Sequence, residues 1–519
     1  MMMRRHAVLA FAALVASQLL VPACRSSSSS TPSDDGGAAD ASIPLPPQVT
    51  FPKGFLWGSA TAAFQVEKGL GATDWGAWVK TTGKIKNGDD PDVAGPDALA
   101  HVDEDVALLT ASGQNAYRFS IEWARLYPTK AAFDADTPDM TAIAAYDALL
   151  TKLKAAKITP LVTLHHFSSP SWLSDPSQPM QPQAWERPEM SDLFVEYAKR
   201  IAKRWGDKID WYVTINEPLN LALGGYVQGS FPPGEILAMD RTFAIVKAEA
   251  RAHAKAFDAI HAADTIDADG DGKAAWVSMA FHQRTFHPFD PSNQDDLDAT
   301  TRVHYIWNAW LLNSVVKGDW DDDYDMTYTG PADLQGDPTL KNHVDYVGIN
   351  YYSDTIIARQ HGIVIPKIDA SVIQDHMPTS RPKTEMAWDI YPEGMGTVLD
   401  EAKAYGFPIV ITENGTADST DANRARFLAE HVYQVGAAIA RGADVRGYMH
   451  WALIDNFEWA NGFCPKFGLA SYDAKNPARP RTLRASGMTY KSIITANAMQ
   501  QGDVDALPPY ATTPPNPCN

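Results

Sequence analysis

Between residues 51 and 500 the chain alternates short strand-like runs with longer stretches of helical periodicity. The runs cover residues 55–61, 116–122, 159–165, 211–216, 275–281, 345–351, 409–413 and 446–451, and patterns such as 190–204, 240–262 and 423–441 lie between them. A helix between two strands returns the chain to the starting edge, so successive strands run parallel. Eight such units in one chain fit an α/β fold of the (β/α)8 TIM-barrel kind, with its chemistry on the loops after the strands' C-terminal ends. A length of 519 residues would by itself suggest several domains of about 150 residues each. No block repeats and no second domain stands out, so one barrel over residues 51–500 is expected. The long connections 170–188 and 354–386 are expected to wall its mouth.

Both ends read differently. Residues 1–23 carry Arg4 and Arg5 and then an apolar run from Ala7 to Val21, too short to span a membrane and followed by a polar stretch. That is the pattern of an export signal. The tetrapeptide Val21-Pro22-Ala23-Cys24 resembles the lipobox of bacterial lipoproteins, in which the cysteine becomes the lipid-bearing N-terminus. The ordinary alternative is a signal cut elsewhere with an incidental cysteine. Residues 24–50 are rich in Ser and Pro and lack aromatics, which predicts a flexible tether; residues 501–519 form a Pro-rich tail. The expected location is the bacterial cell envelope, with a lipid anchor through Cys24. Cys464 and Cys518 would then be the remaining thiols, and a disulfide between them and two unpaired thiols stand level. A net charge of −19 argues against nucleic acid or an anionic membrane surface as the main partner.

Two short motifs close two of the expected strands: Thr214-Ile215-Asn216-Glu217-Pro218 ends the fourth, and Ile411-Thr412-Glu413-Asn414-Gly415 ends the seventh. The two glutamates would face each other across the barrel mouth. A pair of carboxyls on either side of a bond is what glycoside hydrolysis requires, one protonated to release the leaving oxygen and one ionised to attack or to activate water.

Around this pair the chain resembles family 1 of the glycoside hydrolases, the retaining β-glycosidases. The resemblance rests on six blocks in order: residues 51–65, Tyr117-Arg118-Phe119-Ser120-Ile121, the two glutamate motifs, Gly348-Ile349-Asn350-Tyr351-Tyr352, and residues 451–459. It implies that Glu413 is the nucleophile and Glu217 the acid/base, with Arg118 and Tyr352 keeping Glu413 ionised. Asn216 would bond the sugar 2-hydroxyl. Gln65, His166, Asn216, Glu458 and Trp459 would bond hydroxyls, Trp451 would stack under the ring, and Trp388 would carry the leaving group. Most of the 15 tryptophans are read as core. Negative charge on Glu413 would raise the pKa of Glu217, and the two carboxyls of a retaining enzyme lie about 5–5.5 Å apart.

The implied activity is hydrolysis of small neutral β-glycosides or oligosaccharides from the non-reducing end. Glucosides come first, galactosides or fucosides next. Glu458 would repel a phosphate, which disfavours 6-phospho-glycosides, and Glu217 is Gln in the thioglucoside-cleaving relatives. Phe167, Ala452 and Glu122 depart from common family residues and bear on sugar preference. A catalytically silent sugar-binding lipoprotein on the same fold and a transglycosidase are the alternatives. The first is disfavoured by the joint presence of Glu217, Glu413, Arg118 and Tyr352. No cofactor or metal is expected. Asp267-Ala268-Asp269-Gly270-Asp271-Gly272 matches half of an EF-hand loop, but Ser278 stands where the bidentate Glu would be. A solvated turn is the preferred reading there, with weak calcium binding the other.

Overall fold

The computed structural model of the protein describes residues 45–321, 337–373 and 381–512. The barrel strands are β1 (Leu56–Ala60), β2 (Ala116–Ser120), β3 (Thr159–His165), β4 (Trp211–Asn216), β5 (Trp276–Pro288), β6 (Val347–Ala358), β7 (Ile409–Asn414) and β8 (Val445–Trp451). Each pairs in parallel with its neighbours in sequence, and β8 pairs with β1 to close the ring. The fold is the expected single (β/α)8 barrel. With all eight strands parallel, their C-terminal ends gather at one mouth, and the motif-bearing residues arrive there together.

The surrounding helices pack by the 3.6-residue rule. In α1 (Met190–Trp205) the buried residues are Met190, Phe194, Tyr197, Ala198, Ile201, Ala202 and Trp205, a single stripe facing the sheet. Trp205 is fully buried and its indole N–H donates to Asp147 at 2.7 Å. Burying a side chain such as Phe194 contributes about 1.5–3 kcal/mol. Trp75, Trp123 and Trp310 are likewise fully buried. Three further helices matter below: α2 (Pro218–Tyr226), α3 (Met239–Ala263) and α4 (Arg424–Ala440).

The structure departs from the sequence expectations at three places. First, β5 and β6 run to 13 and 12 residues. Their pairing continues past the barrel rim to Pro288 and Ile357. The polar run His282-Gln283-Arg284-Thr285 hides this extension, because it does not look like a barrel strand. Second, the expected tether ends early: Gln48–Thr50 pairs antiparallel with Ala498–Gln500, and buried Val49 packs on Gly436 of α4, where a Cβ would meet it at 2.5 Å. Third, part of the expected tail is ordered. Gln501–Asp505 is helical and buries Val504, and the Tyr510 hydroxyl donates to Glu430 at 2.6 Å. A few apolar side chains, with strand pairing or hydrogen bonds to α4, hold each short segment, and a composition average conceals them.

Residues 1–23, Cys24 and Cys518 lie outside the described residues. Cys464 is disulfide-bonded; its partner also lies outside them. No helix among the described residues is long and apolar enough to cross a membrane.

The acidic loop sits at the other end of the barrel, before β5. Asp210, Asp267 and Asp269 bring oxygens within 4.8 Å of one another. These oxygens already accept backbone N–H groups: Asp267 from Gly270, Asp271 and Gly272, and Asp210 from Ala268 and Asp269. Ser278, at the position of the missing bidentate ligand, is buried within β5 and donates to a backbone carbonyl. The loop has the hydrogen bonding of a self-capped turn.

Candidate active site

Side chains on one face of a strand recur every second residue, so Arg118 of β2 points into the barrel mouth from between buried neighbours. It is fully buried and every nitrogen is used. Nε donates to Thr163 Oγ1 at 3.0 Å, one terminal nitrogen to the Thr412 carbonyl at 3.1 Å and to Glu413 Oε1 at 2.5 Å, and the other to Asn216 Oδ1 at 2.7 Å. Such saturation offsets the desolvation of a buried cation. Glu413, near the end of β7, receives a second donor on its other oxygen, the Tyr352 hydroxyl at 2.6 Å.

Glu217 follows Asn216 at the end of β4. Its backbone is left-handed (φ 43°, ψ 63°), and Pro218 at once begins α2. That sharp reversal for a non-glycine residue aims the carboxyl into the mouth and stores strain at the site. Asn350 of β6 donates to Glu217 Oε1 at 2.6 Å and to Asn216 Oδ1 at 3.1 Å, and its carbonyl accepts the Thr412 hydroxyl at 2.6 Å. Its amide also reaches Glu413. A single buried amide thus lies between the two carboxyls.

The two glutamates look alike in sequence and differ in their surroundings. Both are buried, which raises both pKa values above the ordinary carboxylate range. At Glu413 the Arg118 charge and the bonds from Tyr352, Arg118 and Asn350 pull back down. At Glu217 burial is the largest cause, Glu413's charge adds to it, and the value is pushed up to about 8. Burial thus outweighs the neighbouring charge that the sequence points to.

The residues expected to hold the sugar converge on this pair. Gln65 is fully buried in the short helix after β1, and its amide N–H2 donates to the Phe457 carbonyl at 2.9 Å and to Glu458 at 3.4 Å. Its Oε1 makes no hydrogen bond among the described residues, as an acceptor for a hydroxyl would. The His166 ring stacks between Trp451 (5.9 Å, 11°) and Trp459 (6.1 Å, 14°). Burial holds His166 well below its ordinary pKa, so it is neutral. Glu458 is pushed up to about 7, mainly by burial, with Glu413's charge adding. Trp388 stands at the outer edge, its ring 5.7 Å from Tyr352. Glu122, one of the unusual residues, lies behind the site, where it accepts the Ser168 hydroxyl at 2.6 Å.

Four residues escaped the sequence reading. Asn350 lies in the motif of residues 348–352, and its place two residues before Tyr352 on one strand is the signal that both face inward. Asn220, His282 and Arg284 had none. Asn220 lies in α2, and the other two lie on the unforeseen extension of β5.

A (β/α)8 barrel with two buried carboxyls at the ends of β4 and β7, one paired with arginine, is the architecture of a retaining β-glycosidase. The sequence matches Glycosyl hydrolase family 1 over residues 47–499, and the chain belongs to that family. It is 31% identical to β-glucosidase A of Thermotoga maritima over 87% of this chain and 99% of that one. It is also 31% identical to a β-galactosidase of Pyrococcus woesei, over 86% and 97%. Among solved structures, the family 1 β-glucosidase from T. maritima superposes with a TM-score of 0.76 at 29% identity, covering 87% of this chain and 99% of that one. Its complex with glucoimidazole gives 0.75 at 29% identity, over 87% and 100%. The protein is a glycoside hydrolase.

Proposed function

We propose that this β-glycosidase removes terminal β-D-glucose from small neutral glycosides, with Glu413 as nucleophile and Glu217 as acid/base, in the cell envelope and anchored by lipid on Cys24. The observation that carries the catalytic assignment is the asymmetry of the two carboxyls. Glu413 is paired with Arg118 and a tyrosine hydroxyl, whereas Glu217 meets only amides and is raised to about 8. In the first step a Glu413 oxygen bonds to the sugar C1 as the C1–O bond to the aglycone breaks. The departing oxygen keeps the electron pair and takes the Glu217 proton. In the second, Glu217 takes a proton from water, the water oxygen bonds to C1, and the ester electrons return to Glu413. Two inversions give retention.

Glucose is favoured by the names of relatives such as the β-glucosidase A and the 1,4-β-D-glucan glucohydrolase of Thermotoga neapolitana. The β-galactosidase relatives make galactosides the first competitor. The export signal and Cys24 motif support the envelope location.

A panel of aryl β-glycosides tests the assignment. Glu413→Ala should be inactive and regain turnover with azide, releasing the α-glycosyl azide; Glu217→Ala with an activated aryl glycoside and azide should release the β-glycosyl azide. Full activity in Glu413→Ala would overturn the nucleophile assignment, and faster turnover of galactosides than glucosides would overturn the sugar. Radiolabelled palmitate on wild type and its loss in Cys24→Ala would test the anchor.

A further inference from the structure

Asn220, in the first turn of α2, places one terminal atom of its amide 2.6 Å from Glu217 Oε2 and 2.6 Å from His282 Nδ1. On the far side of that imidazole, Arg284 Nε lies 3.2 Å from His282 Nε2. A guanidinium has no acceptor, so His282 Nε2 must accept. A neutral imidazole that accepts at Nε2 carries its hydrogen on Nδ1. Burial and the adjacent Arg284 charge hold His282 well below its ordinary pKa, so the ring has one hydrogen only.

The Nδ1–H therefore points at Asn220 and needs an acceptor. Placed with Nδ2 at that vertex, the amide would set N–H against N–H. Oxygen and nitrogen of an amide have nearly the same shape, and the network decides between them. Turned over, Oδ1 accepts from His282, and its contact with Glu217 Oε2 becomes one between two oxygens, which requires a hydrogen on Glu217. The opposite oxygen is fixed in the other sense. Arg118 donates to Asn216 Oδ1, which must therefore accept Asn350 Nδ2, and the same Nδ2 faces Glu217 Oε1. One oxygen of Glu217 meets a donor and the other an acceptor, the pattern of a neutral carboxylic acid.

We propose that Arg284, His282 and Asn220 form a positioning chain that holds Glu217 as the neutral acid, its proton on Oε2 and shared with Asn220 Oδ1. The proposal rests on the reading of Glu217 as acid/base and names what keeps that acid protonated between turnovers. Other groups act on the pair as well. Glu413 from β7 and Arg118 from β2 act on Glu217 through charge, and Asn350 of β6 donates to it. His166, beyond β3, bonds Asn216. The His282 ring lies edge-on to Trp307 (5.6 Å) and Tyr352 (6.1 Å), and Arg284 also donates to Thr355 at 2.9 Å.

The alkaline limb of kcat/KM on a glucoside with a poor leaving group reads the acid form of Glu217. His282→Phe keeps the charge and the burial but frees Asn220 to turn its N–H2 toward an ionised Glu217. The limb should move to lower pH by about half to one unit, a single neutral hydrogen bond's worth. Asn220→Ala should move it the same way. The double variant should move it no further than Asn220→Ala, because His282 acts only through Asn220. If Asn220 instead donates to Glu217, His282→Phe leaves the limb in place; an unmoved limb, or one moved to higher pH, in either folded variant overturns the proposal. Glu217→Ala separates the two claims. Loss of the alkaline limb with azide rescue upholds the acid/base reading whatever His282→Phe does, and a retained limb without rescue defeats that reading itself.

Discussion

Tyr352→Phe isolates one term in the electrostatics of Glu413. The hydroxyl donates to Glu413 Oε2 at 2.6 Å, while the ring packs edge-on against Trp388 and His282 and near Phe467. Phenylalanine keeps that packing and removes only the donor. The tyrosine is itself held well above its ordinary pKa by burial and by Glu413's charge, so it remains an O–H throughout an assay. A hydrogen bond to a charged group contributes about 1.5–3 kcal/mol, and one pKa unit corresponds to about 1.4 kcal/mol. Glu413 should therefore titrate about 1–2 units higher in the variant. Arg118 stays in place on the other oxygen, which keeps the shift from growing larger.

On the proposed assignment of Glu413 as nucleophile and Glu217 as acid/base, Glu413 must be ionised, so its pKa sets the acid limb of kcat/KM. That limb should move to higher pH by the same 1–2 units or so, while the alkaline limb, governed by Glu217, moves little. The bell narrows from its acid side. On the acid side of the wild-type optimum the rate falls by about 10- to 100-fold, and part of the loss returns as pH rises. The assay is a pH series of kcat/KM on an aryl β-glucoside, with circular dichroism showing an unchanged fold. An acid limb that stays in place, with a uniform loss of rate at every pH, would refute the reasoning. Tyr352 would then be acting on the sugar and not on the carboxylate.

Three other outcomes follow from named contacts. Gln65→Met removes an unpartnered buried acceptor and the link to Glu458; kcat/KM on glucosides should fall by about tenfold or more, and an unchanged value would remove Gln65 from the sugar site. Glu249 of α3 is fully buried, neither of its oxygens has a hydrogen-bond partner among the described residues, and burial raises its pKa well above 4.5. The native state thus holds that proton to higher pH than the unfolded chain, and stability is lost as pH rises from the ordinary carboxylate value toward the raised one. Glu249→Met should stabilise by about 1–3 kcal/mol, with a Tm gain larger at alkaline than at acid pH; a gain that does not grow with pH would contradict this. For the Asp267 loop, whose oxygens are already taken by backbone N–H groups, calorimetric titration with millimolar calcium should show no binding heat.

Much of this was legible in the sequence because a barrel writes its topology as a period. All eight strands fell where apolar runs predicted them, and the glutamates of the motifs emerged at the ends of β4 and β7. The extension of β5 was not legible. It pairs with β6 beyond the rim along the run His282-Gln283-Arg284-Thr285, which is buried yet polar, so burial there leaves no apolar pattern to read. Gln48–Thr50 was missed for a related reason: three residues cannot show a period, and their pairing partner lies some 450 positions away.

The protonation of the pair was the least legible feature, because it depends on which strands are neighbours across the mouth. Arg118 leaves β2, passes Thr163 of β3 and Asn216 of β4, and ends on Glu413 of β7. The same guanidinium, by fixing Asn216, also fixes the donor that faces Glu217. Arg284 occupies the equivalent place on the other oxygen, through a histidine and an amide. Arginine is the one side chain that can anchor both lines, since it donates at every nitrogen and does not lose its charge. Applied directly to a carboxyl it favours the anion, as at Glu413; applied through groups that must alternate donor and acceptor, it can favour the acid, as proposed for Glu217. Two chemically identical side chains are thereby set to opposite tasks: an arginine donates directly to Glu413, whereas the line from Arg284 to Glu217 ends, as proposed, in an acceptor.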